Sequence, residues 1–216
     1  MHPHQKKKLL SSGLFIISFL ITFALFVEKL ELHRLLGFDT RIINVVQRKI
    51  DAPNTRLMKF FTFLGSPISI SVLVMLVAMT FCRKGQIREA TCMIIANAAG
   101  AGFNEGLKYI FRRQRPDIHR LVPAHGYSFP SGHSMGSVMF YGTLCYFICR
   151  QLTNGLLKIL LCTASGLMIM ITGVSRIYLG VHYPSDVVSG YAAAGAWLSA
   201  SIKGFNAFLF KGPRYH

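Results

Sequence analysis

Long apolar runs alternate with short polar islands along the chain, and that alternation sets the expected architecture. Leu9 to Val27 is an uncharged run long enough to cross a bilayer. Apolar stretches recur at about 54–82, 90–111, 134–149, 156–173 and 187–202, which predicts six transmembrane helices. Between the first two, Ile42, Ile43, Val46 and Ile50 recur at helical spacing after a cap at Asp39 or Thr40. That pattern predicts a short helix lying in the membrane interface. Gly65-Ser66-Pro67 predicts a kink in the second span, Pro116 closes the third, and Pro184 marks the start of the sixth. The expected fold is an all-α integral membrane protein, a single membrane-embedded domain over 1–216.

Composition agrees with that reading and narrows it. With 52% hydrophobic and 15% charged residues, the chain is too apolar for an ordinary soluble domain. A net charge of +16 would suit nucleic acid, but the basic residues lie beside the spans, where they meet lipid headgroups and set topology. No nucleic-acid partner is expected. Six spans put both termini on one side. Lys6 to Lys8, the turn at Arg83, Lys84 and Arg88, the turn at Arg150 and Lys158, and the tail with Lys203, Lys211 and Arg214 assign that side to the cytoplasm. Leu9 to Val27 is expected to stay as an uncleaved first span, because it is long for a signal peptide and no small-x-small cleavage site follows. The cysteines Cys82, Cys92, Cys145, Cys149 and Cys162 fall in or at the ends of apolar runs and are expected to face the core or lipid. Cys145 and Cys149 have helical spacing, but no Cys-x-x-Cys or His-rich zinc pattern accompanies them. Gly102 with Gly106, and Gly132 with Gly136, have the Gly-x-x-x-Gly spacing of helix contacts or a homodimer.

Three polar islands carry the chemistry: Lys108 with Arg115-Pro116, then Pro130-Ser131-Gly132-His133, then Ser175-Arg176 followed by His182 and Asp186. The loops after the third and fifth spans open on the same face, the extracytoplasmic one, so the islands can converge there. Lys108, Arg115 and Arg176 would present three cations to one point, and Ser131 with the amides of Gly132 and His133 opens a helix N-terminus. That combination suits phosphate. Two imidazoles, His133 and His182, supply a nucleophile and a proton donor, and Asp186 can hold the His182 ring. No second carboxylate cluster stands near the motifs to hold Mg²⁺, so no metal and no cofactor is expected. Asn104, Glu105 and Lys108 occupy the last turns of the third span, where polar groups are costly unless they face a polar site. Glu105 could pair with Lys108 or Arg112, or touch substrate. Arg112 and Arg113 are expected to serve topology and headgroup contact, and His2, His4, His33, His119, His125 and His216 are expected to be structural.

Lys108, six residues, Arg115-Pro116; Pro130-Ser131-Gly132-His133; and Ser175-Arg176, five residues, His182, three residues, Asp186 closely resemble the three-part signature of the type 2 phosphatidic acid phosphatase superfamily. Within it the chain looks like the small bacterial six-span lipid phosphatases of the phosphatidylglycerophosphate and undecaprenyl pyrophosphate phosphatase type. The resemblance implies that His182 forms a phosphohistidine, that Asp186 orients it, and that His133 protonates the leaving alcohol and then activates water. Lys108, Arg115, Arg176, Ser131 and the Gly132 and His133 amides would hold the phosphoryl oxygens. The implied substrate is a lipid phosphate or pyrophosphate in the bilayer, of the undecaprenyl pyrophosphate, phosphatidylglycerophosphate or phosphatidate class. Two other readings stand beside it: a phosphatase or phosphotransferase acting on a soluble phosphate ester, and a transporter whose intramembrane charges mark an ion path.

Overall fold

The computed structural model describes residues 3–117 and 119–210, with side chains described for 13–117 and 119–207. The side chains of Lys6 to Lys8, and Lys211 and Arg214 of the basic tail, lie outside that set, as do His2, His4 and His216. Eight helices and no strand occur among the described residues: α1 (Pro3–Glu31), α2 (Leu36–Val46), α3 (Ala52–Leu64), α4 (Pro67–Arg83), α5 (Ile87–Phe111), α6 (Gly132–Gln151), α7 (Gly155–Tyr178) and α8 (Pro184–Phe210).

Local chemistry explains most of the boundaries. The Asp51 carboxylate accepts the Asn54 N–H at 2.8 Å and starts α3, and Asn154 accepts from Leu156 and Leu157 to start α7. Gly65-Ser66-Pro67 is a full break: Gly65 caps α3, Ser66 accepts the Ser69 N–H, Pro67 opens α4, and the two axes bend by 50°. Three boundaries depart from the sequence expectation. The short helix α2 begins at Leu36 without a side-chain cap, so Asp39 lies inside its first turn and points into the protein. The third long helix ends at Phe111, where the apolar run was expected to end, but Arg112 rather than Pro116 closes it, by adopting the left-handed conformation with φ 45° and bonding back to the Lys108 carbonyl. The fifth runs past Gly173 to Tyr178, since Gly173 is covered by Tyr191 and the first left-handed glycine is Gly180, with φ 69°.

α6 is central, touching α4, α5, α7 and α8, while α1 lies along α8 and α3 along α7. Ile70, Val74, Met93, Met135, Met139 and Phe147 are buried among α4, α5 and α6. Small residues line the closest approaches, including Ala96 on α5 and Ala192 to Ala194 on α8. The outer faces stay apolar, as Leu14, Phe15 and Leu20 on α1 and Leu156, Ile159 and Leu160 on α7 illustrate. Residues Gly13–Glu31 and all of α7 are long and apolar enough to cross a membrane, and the bent pair α3 and α4 makes a third crossing if it acts as one span.

The α7–α8 crossing leaves no room beside Gly173. A Cβ there would overlap the Tyr191 hydroxyl and stand 2.7 Å from Val187 Cγ1, while that hydroxyl donates to the Ile169 carbonyl at 2.8 Å. Gly173→Ala is expected to cost about 1–3 kcal/mol by overpacking. Thermal unfolding in detergent should show a lower midpoint than Gly102→Ala, a site with nothing within 4 Å of the added carbon. Equal midpoints would contradict the packing described.

Candidate active site

The site forms where the C-terminal end of α5, the N-terminus of α6 and the α7–α8 connection meet. Once Arg112 has ended α5, residues 113–115 run without regular structure, and Arg113 and Arg115, two apart, both reach the α7–α8 connection. This stretch is pinned on its other edge, where the Ser128 N–H donates to the Arg113 carbonyl and the Ser128 hydroxyl to the Gln114 carbonyl.

Arg113 is the hub. Its Nη1 donates to Asp186 Oδ1 at 2.6 Å and to Ser185 Oγ at 2.7 Å, and its Nη2 to Asp39 Oδ2 at 2.8 Å. The guanidinium lies over the Tyr183 ring, 4.0 Å from its centroid. Burial would weaken this charge, but Asp186 and Asp39 outweigh burial and raise its pKa above the ordinary arginine value. Asp39 also accepts the Ser185 N–H and hydroxyl, each at 2.8 Å, so α2 is tied to the start of α8. Headgroup contact is therefore the wrong reading for Arg113. The overlooked signal was a lone acid, Asp39, on the same helical face as Ile42 and Ile43.

Asp186 passes this order on to His182. Its Oδ2 accepts the Tyr183 N–H at 2.9 Å and stands 3.4 Å from His182 Nδ1, within ion-pair reach but without hydrogen-bond alignment. On the other side of the ring, Nε2 is 3.0 Å from Arg115 Nη1. A guanidinium has only donors, so Nε2 accepts and the ring proton belongs on Nδ1, facing Asp186. Arg115 is itself held by the carbonyls of Val181, His125 and Gly126. His182 is 2% exposed. Burial pushes its pKa down to about 4; Asp186 opposes the shift, and Arg176 and Arg115 add to it.

A cleft of about 1100 Å³ runs from these groups outward between α4, α5 and α6. Lys108, Arg115, Gly132, His133, Arg176 and His182 line its polar end. Ser131 and Asp186 stand behind that lining. Ser131, fully buried, caps α6 by accepting the Ser134 N–H, and its own N–H donates to the Asp186 carbonyl at 3.0 Å. Arg176 is 7% exposed; it donates to Thr62 Oγ1 at 2.5 Å, while its Nε has no protein partner. Lys108 pairs with Glu105 at 2.7 Å, the first of the partners expected for that acid, and Glu105 also lines the cleft. Gly132 lies close against α5, and a Cβ there would come within 2.9 Å of Asn104 Oδ1, so that amide would have to shift to admit a larger residue. Asn104 in turn donates to the Pro130 carbonyl and holds this loop against α5. A smaller hollow of about 490 Å³, bounded by His33, Leu35, Phe111 and Arg113, lies behind the ion-pair cluster and is lined by neither His133 nor His182.

Residues 89–209 match the family model of the PAP2 superfamily. The chain belongs to that superfamily. It is 32% identical over 153 residues to phosphatidylglycerophosphatase B of Bacillus subtilis, covering 69% of this chain and 74% of that one. It is 25% identical over 191 residues to undecaprenyl-diphosphatase of Sulfolobus acidocaldarius, 85% of each. The crystal structure of a transmembrane PAP2 type phosphatidylglycerolphosphate phosphatase from Bacillus subtilis superposes with a TM-score of 0.83 at 25% identity, over 94% of this chain and 99% of that one. LpxE of Aquifex aeolicus shares the fold, with a TM-score of 0.63 at 23% identity over 76% and 94%. The chain is accordingly a membrane enzyme of the phosphoric ester hydrolase class.

Two expectations follow from the geometry. Arg113→Ala would leave the buried Asp39 and Asp186 without their shared cation, a loss of about 3–5 kcal/mol. Arg112→Ala, whose side chain bonds only the Tyr109 carbonyl among the described residues, should leave the unfolding midpoint nearly unchanged. Equal effects of the two would contradict the hub. For His182, the neutral ring should persist as pH falls through 6.5 and become cationic only toward pH 4. The NMR titration of labelled histidine, assigned by difference against His182→Ala, reads this directly; a midpoint near 6.5 would contradict the burial described.

Proposed function

We propose that the protein hydrolyses a lipid phosphate or lipid pyrophosphate through a covalent phosphohistidine, without a metal ion. The observation that carries the reading is the single cleft: cations and imidazoles line one end, and Ile68, Val74, Met75 and Ile94 line the rest. That shape suits an anionic head joined to a long apolar tail. A buried arginine with an unpartnered Nε, beside a second arginine and a lysine, is costly unless an anion completes it. The relatives named phosphatidylglycerophosphatase B and undecaprenyl-diphosphatase support the same class of substrate.

In this mechanism Arg176, Arg115, Lys108 and the N–H groups of Gly132 and His133 receive the phosphoryl oxygens, spreading the charge that develops. Arg115 leaves Nε2 for the phosphoryl group, and the freed Nε2 lone pair of His182 attacks phosphorus. His133 takes up a proton from water as the phosphate anion enters and offsets the charges of Arg176, Lys108 and Arg115, and the bond to the lipid oxygen breaks as His133 gives that oxygen this proton. Asp186, Nδ1 and its proton share the charge that the ring gains. His133, now neutral, then takes a proton from water, the hydroxide displaces Nε2, and phosphate leaves. Ser131 contributes by capping α6 and so aiming its N–H groups. The reading includes six membrane spans, with α3 and α4 as one broken span and α2 in the interface. It puts the termini in the cytoplasm and the site on the extracytoplasmic face.

Purified protein should release phosphate from undecaprenyl pyrophosphate, phosphatidylglycerophosphate or phosphatidate in micelles, faster than from a soluble sugar phosphate, and excess EDTA should leave the rate unchanged. Preference for the sugar phosphate would favour the soluble-ester reading. Loss of turnover on chelation with recovery on Mg²⁺ would overturn the metal-free mechanism, and flux through liposomes without phosphate release would point to transport.

A further inference from the structure

At the end of α6 remote from the histidines, three cysteines meet. Cys145 and Cys149, one turn apart on α6, face Cys162 on α7, with Sγ separations of 3.8 Å between 145 and 149, 3.3 Å between 145 and 162, and 3.9 Å between 149 and 162. The sequence expectation placed all three in the core or facing lipid and noted the helical spacing of Cys145 and Cys149, without a metal pattern. Their convergence depends on the α6–α7 turn, which is only residues 152–154 and folds α7 back along α6. We propose that these three thiols form a binding site for one soft, thiophilic metal ion, of the monovalent copper or zinc–cadmium kind.

The spacing is that of a three-thiolate set. With metal–sulfur bonds of about 2.3 Å, a planar trigonal site has sulfur–sulfur edges of about 4.0 Å and a tetrahedral one about 3.8 Å. The two longer edges already match, and the third needs to open by about half an ångström, within the reach of a cysteine rotamer. Soft ligands without carboxylate or imidazole among them select soft ions. Among the described residues no other group of three His, Cys, Asp or Glu side chains converges in this way. Binding is balanced by protons: three thiols lose three protons to bulk water as three metal–sulfur bonds form. Arg150, adjacent to Cys149, and Lys158, one turn before Cys162, put positive charge at the same end to offset the anionic complex. The frame is rigid there, since Tyr146 on α6 donates to Asn206 of α8 at 2.6 Å and receives Arg150 Nη1 at 2.9 Å. Cys149 lies two residues from the end of α6, beside the 152–154 turn, and that end of the helix pair is the side from which an ion would enter. From His133 to Cys145 is about 18 Å along α6, so the site is separate from the phosphate cleft.

The test is a titration of the full-length protein in detergent with Cd²⁺, under anaerobic conditions with a non-coordinating reductant and a competing chelator. The readouts are the ultraviolet thiolate-to-cadmium charge-transfer band and the protons released. One ion should bind per chain with release of about three protons at pH 7. Cys145→Ser, Cys149→Ser and Cys162→Ser should each weaken binding at least about tenfold, by analogy with the smaller losses seen when supporting groups of a metal site are removed. Cys82→Ser and Cys92→Ser should leave it unchanged. Absence of the band, or a band that survives Cys162→Ser undiminished, would overturn the proposal and leave the trio as thiols in simple packing contact.

Discussion

Arg113 between Asp39 and Asp186 is the interaction on which the rest of the site depends. Two carboxylates that are almost fully buried would repel each other across α2 and α8, and one guanidinium with a rigid fork of donors satisfies both. The consequences spread in three directions. Asp39 fastens α2 to the N-terminus of α8 through Ser185. Asp186, with Oδ1 committed to Arg113, keeps Oδ2 for the Tyr183 N–H and the His182 ring. Its carbonyl accepts the Ser131 N–H, so the start of α6 is positioned from the same residue. A short helix in the connection between α1 and α3 thus helps to aim a histidine far away in sequence, through one cation.

Charge in the cleft follows a related logic. Lys108, Arg115 and Arg176 converge, yet among the described residues only Lys108 has a carboxylate partner in the cleft, Glu105. The acids that bind Arg113 lie behind His182, where Asp186 faces the ring and neither acid forms an ion pair with Arg115 or Arg176 among the described residues. In surroundings of low dielectric this separation matters more than it would in water, because an uncompensated cation there attracts an anion strongly. The same surroundings keep His182 uncharged, with Nε2 as the acceptor that faces the cleft. In the proposed mechanism a neutral ring presented beside these cations is the state a nucleophile needs.

How much of this was legible in the sequence differs from group to group. The helix order, the break at Gly65-Ser66-Pro67 and the meeting of the three polar islands could be read because each rests on local pattern: apolar run length, proline position and motif spacing. Asp39 and Arg113 could not be assigned in that way. Their bond spans 74 residues, and nothing local distinguishes Arg113 from Arg112, whose left-handed backbone sends the two side chains in different directions. Ser131 was legible as a helix start, but its burial behind the cleft is a matter of tertiary packing against α8. The cysteine trio was hidden for a similar reason, because the two halves belong to different helices and only the tightness of the turn between them brings Cys162 to Cys145.

The central claim is that His182 takes the phosphoryl group and His133 serves it as acid and base. It is tested most directly by covalent labelling with a radiolabelled activated aryl phosphate, whose leaving group needs little protonation, followed by acid and base treatment of the denatured protein. The account predicts acid-labile, base-stable label on the wild type, measurable label on His133→Ala, and none on His182→Ala. Equal labelling of wild type and His182→Ala would contradict it, and label on His182→Ala but not on His133→Ala would mean that the two roles are reversed.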